Sequence, residues 1–177
     1  MKKGISIFGS ARTQENSYTY NITRDLSRAL ANNGYQVISG GGPGIMKAAI
    51  EGSYLSGNKS IALNLKLPFE ENILADQKES LSFDYFMTRK LAFAKYSDAF
   101  IVMHGGFGTL DELFEILTLM QTNKMKNKKV ILFGSFFWGG LMDWIEETLL
   151  FQKLISKADL QNICIVNSID EVLHKIK

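Results

Sequence analysis

Apolar and polar positions alternate in blocks along the chain, and the period of each block indicates the element it forms. Short apolar runs at 5–8, 36–39, 59–65, 99–103, 130–133 and 163–166 predict strands, and residues 81–84 read as a further short one. Between them, apolar residues recur at intervals of three and four. That spacing predicts helices over 18–32, 45–55, 86–96, 110–122, 140–152 and 168–176. In the first helix Ile22, Leu26 and Leu30 share a face, and Gly34 ends it. Pro43 stands near the first turn of the second, where a missing N–H does no harm. Residues 66–77 read as a longer connection. Strands that are apolar without alternation are buried on both faces. The pattern therefore predicts an α/β fold with a mostly parallel sheet covered by helices.

Composition narrows the picture. A length of 177 residues suggests one domain, and 46% hydrophobic with 21% charged residues suits a soluble globular protein with a real core. A net charge of +2 is too small to argue for nucleic acid, and Lys124, Lys126, Lys128 and Lys129 read as a solvated loop. The apolar stretch after Met1-Lys2-Lys3 breaks at Gly9, so it reads as a first strand rather than a signal peptide. No apolar run is long enough for a bilayer. Cys164 is the one cysteine, which allows no intrachain disulfide and fits a cytoplasmic location. His104 and His174 are far apart and lack cysteine partners, so no metal site is expected.

The candidate chemistry lies in the turns that follow strands. Two are rich in glycine: Ser39-Gly40-Gly41-Gly42-Pro43-Gly44-Ile45-Met46, and Met103-His104-Gly105-Gly106-Phe107-Gly108-Thr109-Leu110-Asp111-Glu112. Each joins a strand to a helix, where free backbone N–H groups meet the positive end of the helix and can receive an anion. With Gly9-Ser10-Ala11-Arg12 they can line one crevice at the carboxyl ends of the strands. The first turn lacks G-x-G-x-x-G and no Walker loop exists, which disfavours an NAD enzyme or an ATPase. The loops suit a small phosphate better than a pyrophosphate.

Glu112 has two readings. Thr109-Leu110-Asp111-Glu112 fits a capping box, as Ser168-Ile169-Asp170-Glu171 does far from any glycine loop. Spacing alone favours the cap. The glycines before it shift the balance towards chemistry: in the first turn of a ligand-receiving helix the carboxyl would be held low and ionised, suited to a base or cation stabiliser. Arg89 and Lys90, by spacing alone, are an exposed pair with their stems on the core rim.

Taken together, Gly40 to Gly44, Arg89-Lys90 and Gly105 to Glu112 resemble the LOG family, the cytokinin riboside 5′-monophosphate phosphoribohydrolases long misnamed lysine decarboxylases. The resemblance covers nearly the whole chain in order. It implies a single Rossmann-like nucleotide-binding domain over 1–177, a three-layer α/β/α sandwich that pairs as a homodimer. It also implies hydrolysis of the N-glycosidic bond of a purine nucleoside 5′-monophosphate, adenosine-type and including N6-modified cytokinins, giving free base and ribose 5-phosphate. No cofactor or metal is expected, and neither nucleic acid nor membrane is an expected partner. The family's catalytic pair falls on Arg89 and Glu112, and its phosphate turn on Gly105, Gly106, Gly108 and Thr109. Gly9, Ser10, Gly41, Gly42, Gly44, Met87 and Lys90 complete the expected substrate-binding set, with Phe107 a second apolar candidate beside Met87 for the base pocket. His104 stands where the family usually has proline, which would leave the loop's entry freer. No Schiff-base lysine appears in the motif context a pyridoxal-phosphate decarboxylase needs. The alternative is a non-enzymatic nucleotide or molybdenum-cofactor carrier of the same fold, which would have no need of the Arg89 and Glu112 pair.

Overall fold

The computed structural model of the chain describes residues 3–58, 60–66, 79–126 and 128–177. Among these residues seven strands form one parallel sheet: β1 (Gly4–Phe8), β2 (Gln36–Gly40), β3 (Ile61–Leu65), β4 (Ser80–Phe83), β5 (Ala99–Val102), β6 (Lys129–Phe133) and β7 (Ile163–Val166). Their order is β4-β3-β2-β1-β5-β6-β7, with β1 central. The predicted strands lie where the apolar runs place them, within a residue or two at their ends. Lys59 and residues 67–77, parts of one predicted strand and one predicted connection, fall outside the described residues.

Successive residues along a strand point to opposite faces, and both faces are covered. On one side Ile5, Ile7, Val37, Ala99, Ile101, Ile131 and Phe133 pack against α1 (Tyr18–Asn32), α2 (Ile45–Leu55) and the closing helix, Ile169–Ile176. On the other, Phe8, Ile38, Leu63, Phe100, Val102, Val130 and Leu132 pack against α3 (Phe86–Tyr96), α4 (Phe107–Gln121) and α5 (Ser135–Trp144). The result is a Rossmann-like three-layer sandwich.

Helix boundaries depart from the sequence expectation in two places that matter. The helix expected from 110 begins at Phe107, with Gly106 as its N-cap; the N–H groups of Thr109 and Leu110 both donate to the Gly106 carbonyl at 3.0 Å. Glycine and phenylalanine are weak helix formers, so the first turn is hidden in the glycine motif. The helix expected over 140–152 begins at Ser135, whose N–H donates to Asn167 Oδ1 at 2.8 Å, and runs into a π-helical segment, Ile145–Leu150. A short helix, α6 (Lys157–Leu160), was not expected; Ser156 and Asp159 close a capping box at its start. The last helix, α7 (Ile169–Ile176), has the predicted Ser168 cap, which accepts from the Glu171 N–H.

The lysine cluster also needs correction. Lys128 is not on a solvated face: its ammonium donates to the Ala94 and Ser97 carbonyls at the end of α3 and lies over the Phe100 ring. It thereby ties down the helix that carries Arg89. Among the described residues no helix is long and apolar enough to cross a membrane.

Candidate active site

Loops from β1, β2 and β5 meet at the carboxyl edge of the sheet, where the strand order reverses on either side of β1. Ser10 joins them. Its N–H donates to the His104 carbonyl at 3.1 Å, and its own carbonyl accepts from the Ile45 N–H of α2 at 3.0 Å. Gly44 makes that approach feasible: it adopts φ +64°, and a Cβ there would lie 2.4 Å from the Ser10 oxygen. The Ser10 hydroxyl is engaged locally by the Arg12 N–H at 3.0 Å.

Above this junction lies a cavity of about 590 Å³, within the ordinary range for small-molecule sites. Gly9, Ser10, Arg89, Gly106, Gly108, Thr109 and Glu112 line it, together with the apolar side chains of Phe8, Met46, Phe86, Phe93 and Phe107. No side chain caps the N-terminus of α4 at Gly106. The helix thus presents its positive end, and backbone N–H groups free of side-chain caps, to the cavity.

Arg89 is part-buried. Its guanidinium lies 5.4 Å from the Phe93 ring centroid, with Nη2 3.9 Å from Met46 Sδ. Gly40 leaves the room it occupies, since a Cβ at Gly40 would come within 2.3 Å of Nη2.

Glu112 is not a cap. The helix starts at Phe107, so Glu112 lies in its second turn, beyond strong influence of the helix end. The expectation of a lowered carboxyl pKa is therefore overturned. Burial pushes the carboxyl above its ordinary 4.5, while the positive charges of Lys90 and Arg89 oppose the rise. Chemically this is a desolvated carboxylate with two cations at hand: a stronger base than one in water, and one that gains most when positive charge develops beside it.

Several expected binding residues take other places. Gly41, Gly42, Gly44, Gly105, Met87 and Lys90 do not line the cavity. Gly41 packs against the buried Asn64, and Gly105 against the Thr109 side chain. Met87 is 76% exposed, outside the cavity. Lys90 is bound up with three carboxylates of α4, Asp111, Glu112 and Glu115. His104 does not loosen the loop either. Its ring stacks on Phe137 with centroids 4.6 Å apart and planes at 14°, and hydrogen-bonds the Phe133 backbone; burial holds it below its ordinary 6.5. Arg12, Met46 and Asp111, which lie in the turns expected to line the crevice but were given no role, also line the cavity, as does Phe86. The signal for Arg12 and Met46 was their place at the ends of turns already recognised; nothing in the spacing marked Phe86.

Comparison with known proteins gives four matches. A family model described as "possible lysine decarboxylase" matches residues 46–176. The chain is 27% identical over 168 residues to a "probable cytokinin riboside 5′-monophosphate phosphoribohydrolase" of Oryza sativa subsp. japonica, covering 93% of this chain and 79% of that one. It is 29% identical over 156 residues to a cytokinin riboside 5′-monophosphate phosphoribohydrolase of Mycobacterium tuberculosis, covering 86% and 82%. Among solved structures, the molybdenum cofactor carrier protein of Chlamydomonas reinhardtii shares the fold, with a TM-score of 0.69 at 20% identity over 98% of this chain and 95% of that one.

Proposed function

The chain belongs to the family described as possible lysine decarboxylases, and we propose that it hydrolyses the N-glycosidic bond of purine nucleoside 5′-monophosphates. One observation carries the reading: Arg89 and Glu112 line the same cavity as the uncapped N-terminus of α4. An anion site, a cation and a desolvated carboxylate are what this reaction needs within one nucleotide's length. Identity with the phosphoribohydrolases supports the same reading.

In this mechanism the 5′-phosphate sits on the N–H groups at the start of α4, those of Gly106, Phe107 and Gly108, with the Thr109 N–H held by the Gly106 carbonyl. The base lies against Met46, Phe86 and Phe107, which offer apolar and aromatic surface without fixing which purine is taken. As the bond from the anomeric carbon to the base nitrogen breaks, the bonding pair leaves with the base and positive charge builds on the ribose. Glu112 stabilises that charge more than it stabilises the neutral sugar, so its effect falls on the transition state. Water adds its oxygen to the anomeric carbon, oriented by Glu112, which accepts its proton. The proton taken by Glu112 passes through solvent to the departing base, which restores the carboxylate and leaves ribose 5-phosphate. Arg89 holds the nucleotide by a charge-assisted contact.

Pairing of two copies in the cytoplasm belongs to the same reading. Met87 and Leu91 on α3 and Phe114 on α4 are among the exposed apolar residues that could serve it; light scattering of the purified protein tests the pairing.

The function is tested by incubating the protein with AMP, N6-isopentenyl-AMP and the matching nucleosides, and following released base by chromatography. Release from the monophosphates and not from the nucleosides is the expected result. Tight binding of a nucleotide without release would favour a carrier instead.

A further inference from the structure

Lys90 follows Arg89 on α3, yet its ammonium meets α4 rather than the cavity. Nζ lies 2.8 Å from Asp111 Oδ2, 2.5 Å from Glu115 Oε2 and 3.9 Å from Glu112 Oε2. The Lys90 side chain is 10% exposed and that of Glu112 14%. Asp111 and Glu115 engage two of its three N–H donors. A phosphate in the cavity would have to displace carboxylates already bound to this ammonium.

We propose that Lys90 is a positioning residue that fixes Glu112 on α4 and supplies the buried counter-charge for its ionised form, and that it does not bind the nucleotide phosphate. The inference rests on the reading of Glu112 as the carboxylate that acts on the ribose. The charged groups facing Glu112 are Arg89 and Lys90 from α3, and Asp111 and Glu115 on α4 itself. Arg12, from the loop after β1, lines the same cavity. The two acids on α4 oppose ionisation of Glu112; Lys90 contacts both and offsets part of their effect. Arg89 faces the cavity, where a substrate phosphate takes up part of its charge. Lys90 keeps its effect when the site is full, because the substrate does not reach it.

The test compares wild type, Lys90→Met, Lys90→Arg and Glu115→Gln in the pH dependence of kcat and KM with a purine nucleoside 5′-monophosphate. Losing Lys90 to Met should move the acid limb of kcat upward by about one pH unit or more. Above that limb KM should stay within about twofold of wild type, and Lys90→Arg should restore the limb. Glu115→Gln should move it downward, which keeps the inference testable if Lys90→Met does not fold. An unmoved limb, or a KM rise with the limb in place, overturns the assignment; the second result makes Lys90 a phosphate ligand. Carboxyl ¹³C NMR titration of Glu112, assigned by its loss in Glu112→Gln, reads the same shift without turnover. A shifted titration with no hydrolysis would leave the Lys90 inference standing while the proposed reaction fails.

Discussion

Gly40, the last residue of β2, leaves empty the space that the Arg89 guanidinium enters: a Cβ there would stand 2.3 Å from Nη2 and 2.4 Å from Met46 Sδ. Both obstacles are ends of flexible side chains, so Gly40→Ala should fold, with overpacking costing about 1–3 kcal/mol. Arg89 would be pushed from its place, and kcat/KM should fall roughly 10²-fold. Steady-state kinetics beside a urea melt separates the two effects. Full activity with Arg89 displaced would remove Arg89 from the mechanism.

Glu112→Gln should lower turnover by about 10²–10⁴. The same change should raise stability at neutral pH. Because the folded state lifts the Glu112 carboxyl above 4.5, its contribution to stability is fullest below that value and declines as pH rises towards the lifted one. Glutamine does not ionise, so the variant should lack that decline. Denaturant melts at about pH 4 and pH 7.5 read the difference, since the variant should gain on wild type only at the higher pH. Unchanged turnover would sink the catalytic assignment.

Gly108 faces open space, with nothing within 4 Å of where a Cβ would stand. In the first turn of α4, Gly108→Ala should stabilise the protein by up to about 1 kcal/mol. The added methyl occupies the room a phosphate would use, so KM for a monophosphate should rise. Thermal melts and kinetics moving in opposite directions is the expected pattern. A stabilised variant with unchanged KM would place the phosphate elsewhere.

His104 gives a pH signature of its own. Its neutral ring is held between Phe137 and the Phe133 backbone, and its folded pKa lies below 6.5. Its share of stability is complete above 6.5 and is lost as pH falls below that value, because the unfolded chain then binds a proton the folded chain refuses. His104→Phe keeps the stack without the titration. The difference in stability between the two proteins should therefore change between about pH 7.5 and pH 5. A constant difference would mean the ring is not buried as described.

The sheet and the paired glycine loops were legible because unalternating apolar runs and strand-to-helix turns are local signals. Helices α1, α2 and α3 begin and end where their periodicity places them. Glu112 was misread for a local reason: a capping box is defined by spacing, and the start of α4 was hidden in Gly106-Phe107-Gly108, where weak helix formers are held by the fold. The one-turn error removed the helix-end effect, and burial, which spacing does not reveal, reversed the expected direction of its pKa. Lys90 and Lys128 were misread because their partners, Asp111 and Glu115 in one case and the Ala94 and Ser97 carbonyls in the other, are distant in sequence. No window of residues contains both ends of such a contact.

Strand β1 lies between β2 and β5, and its join to β5 brings together residues 94 positions apart, where the Gly4 N–H donates to Asp98 Oδ2 at 2.8 Å. The halves of the sheet on either side of β1 can each gather locally, but the Ser10 bridge to His104 forms only when that long loop closes. Closure of distant segments is the slow part of folding. In refolding from denaturant, helical signal should therefore return before the cavity is assembled. Recovery of nucleotide binding should report the last event on the path.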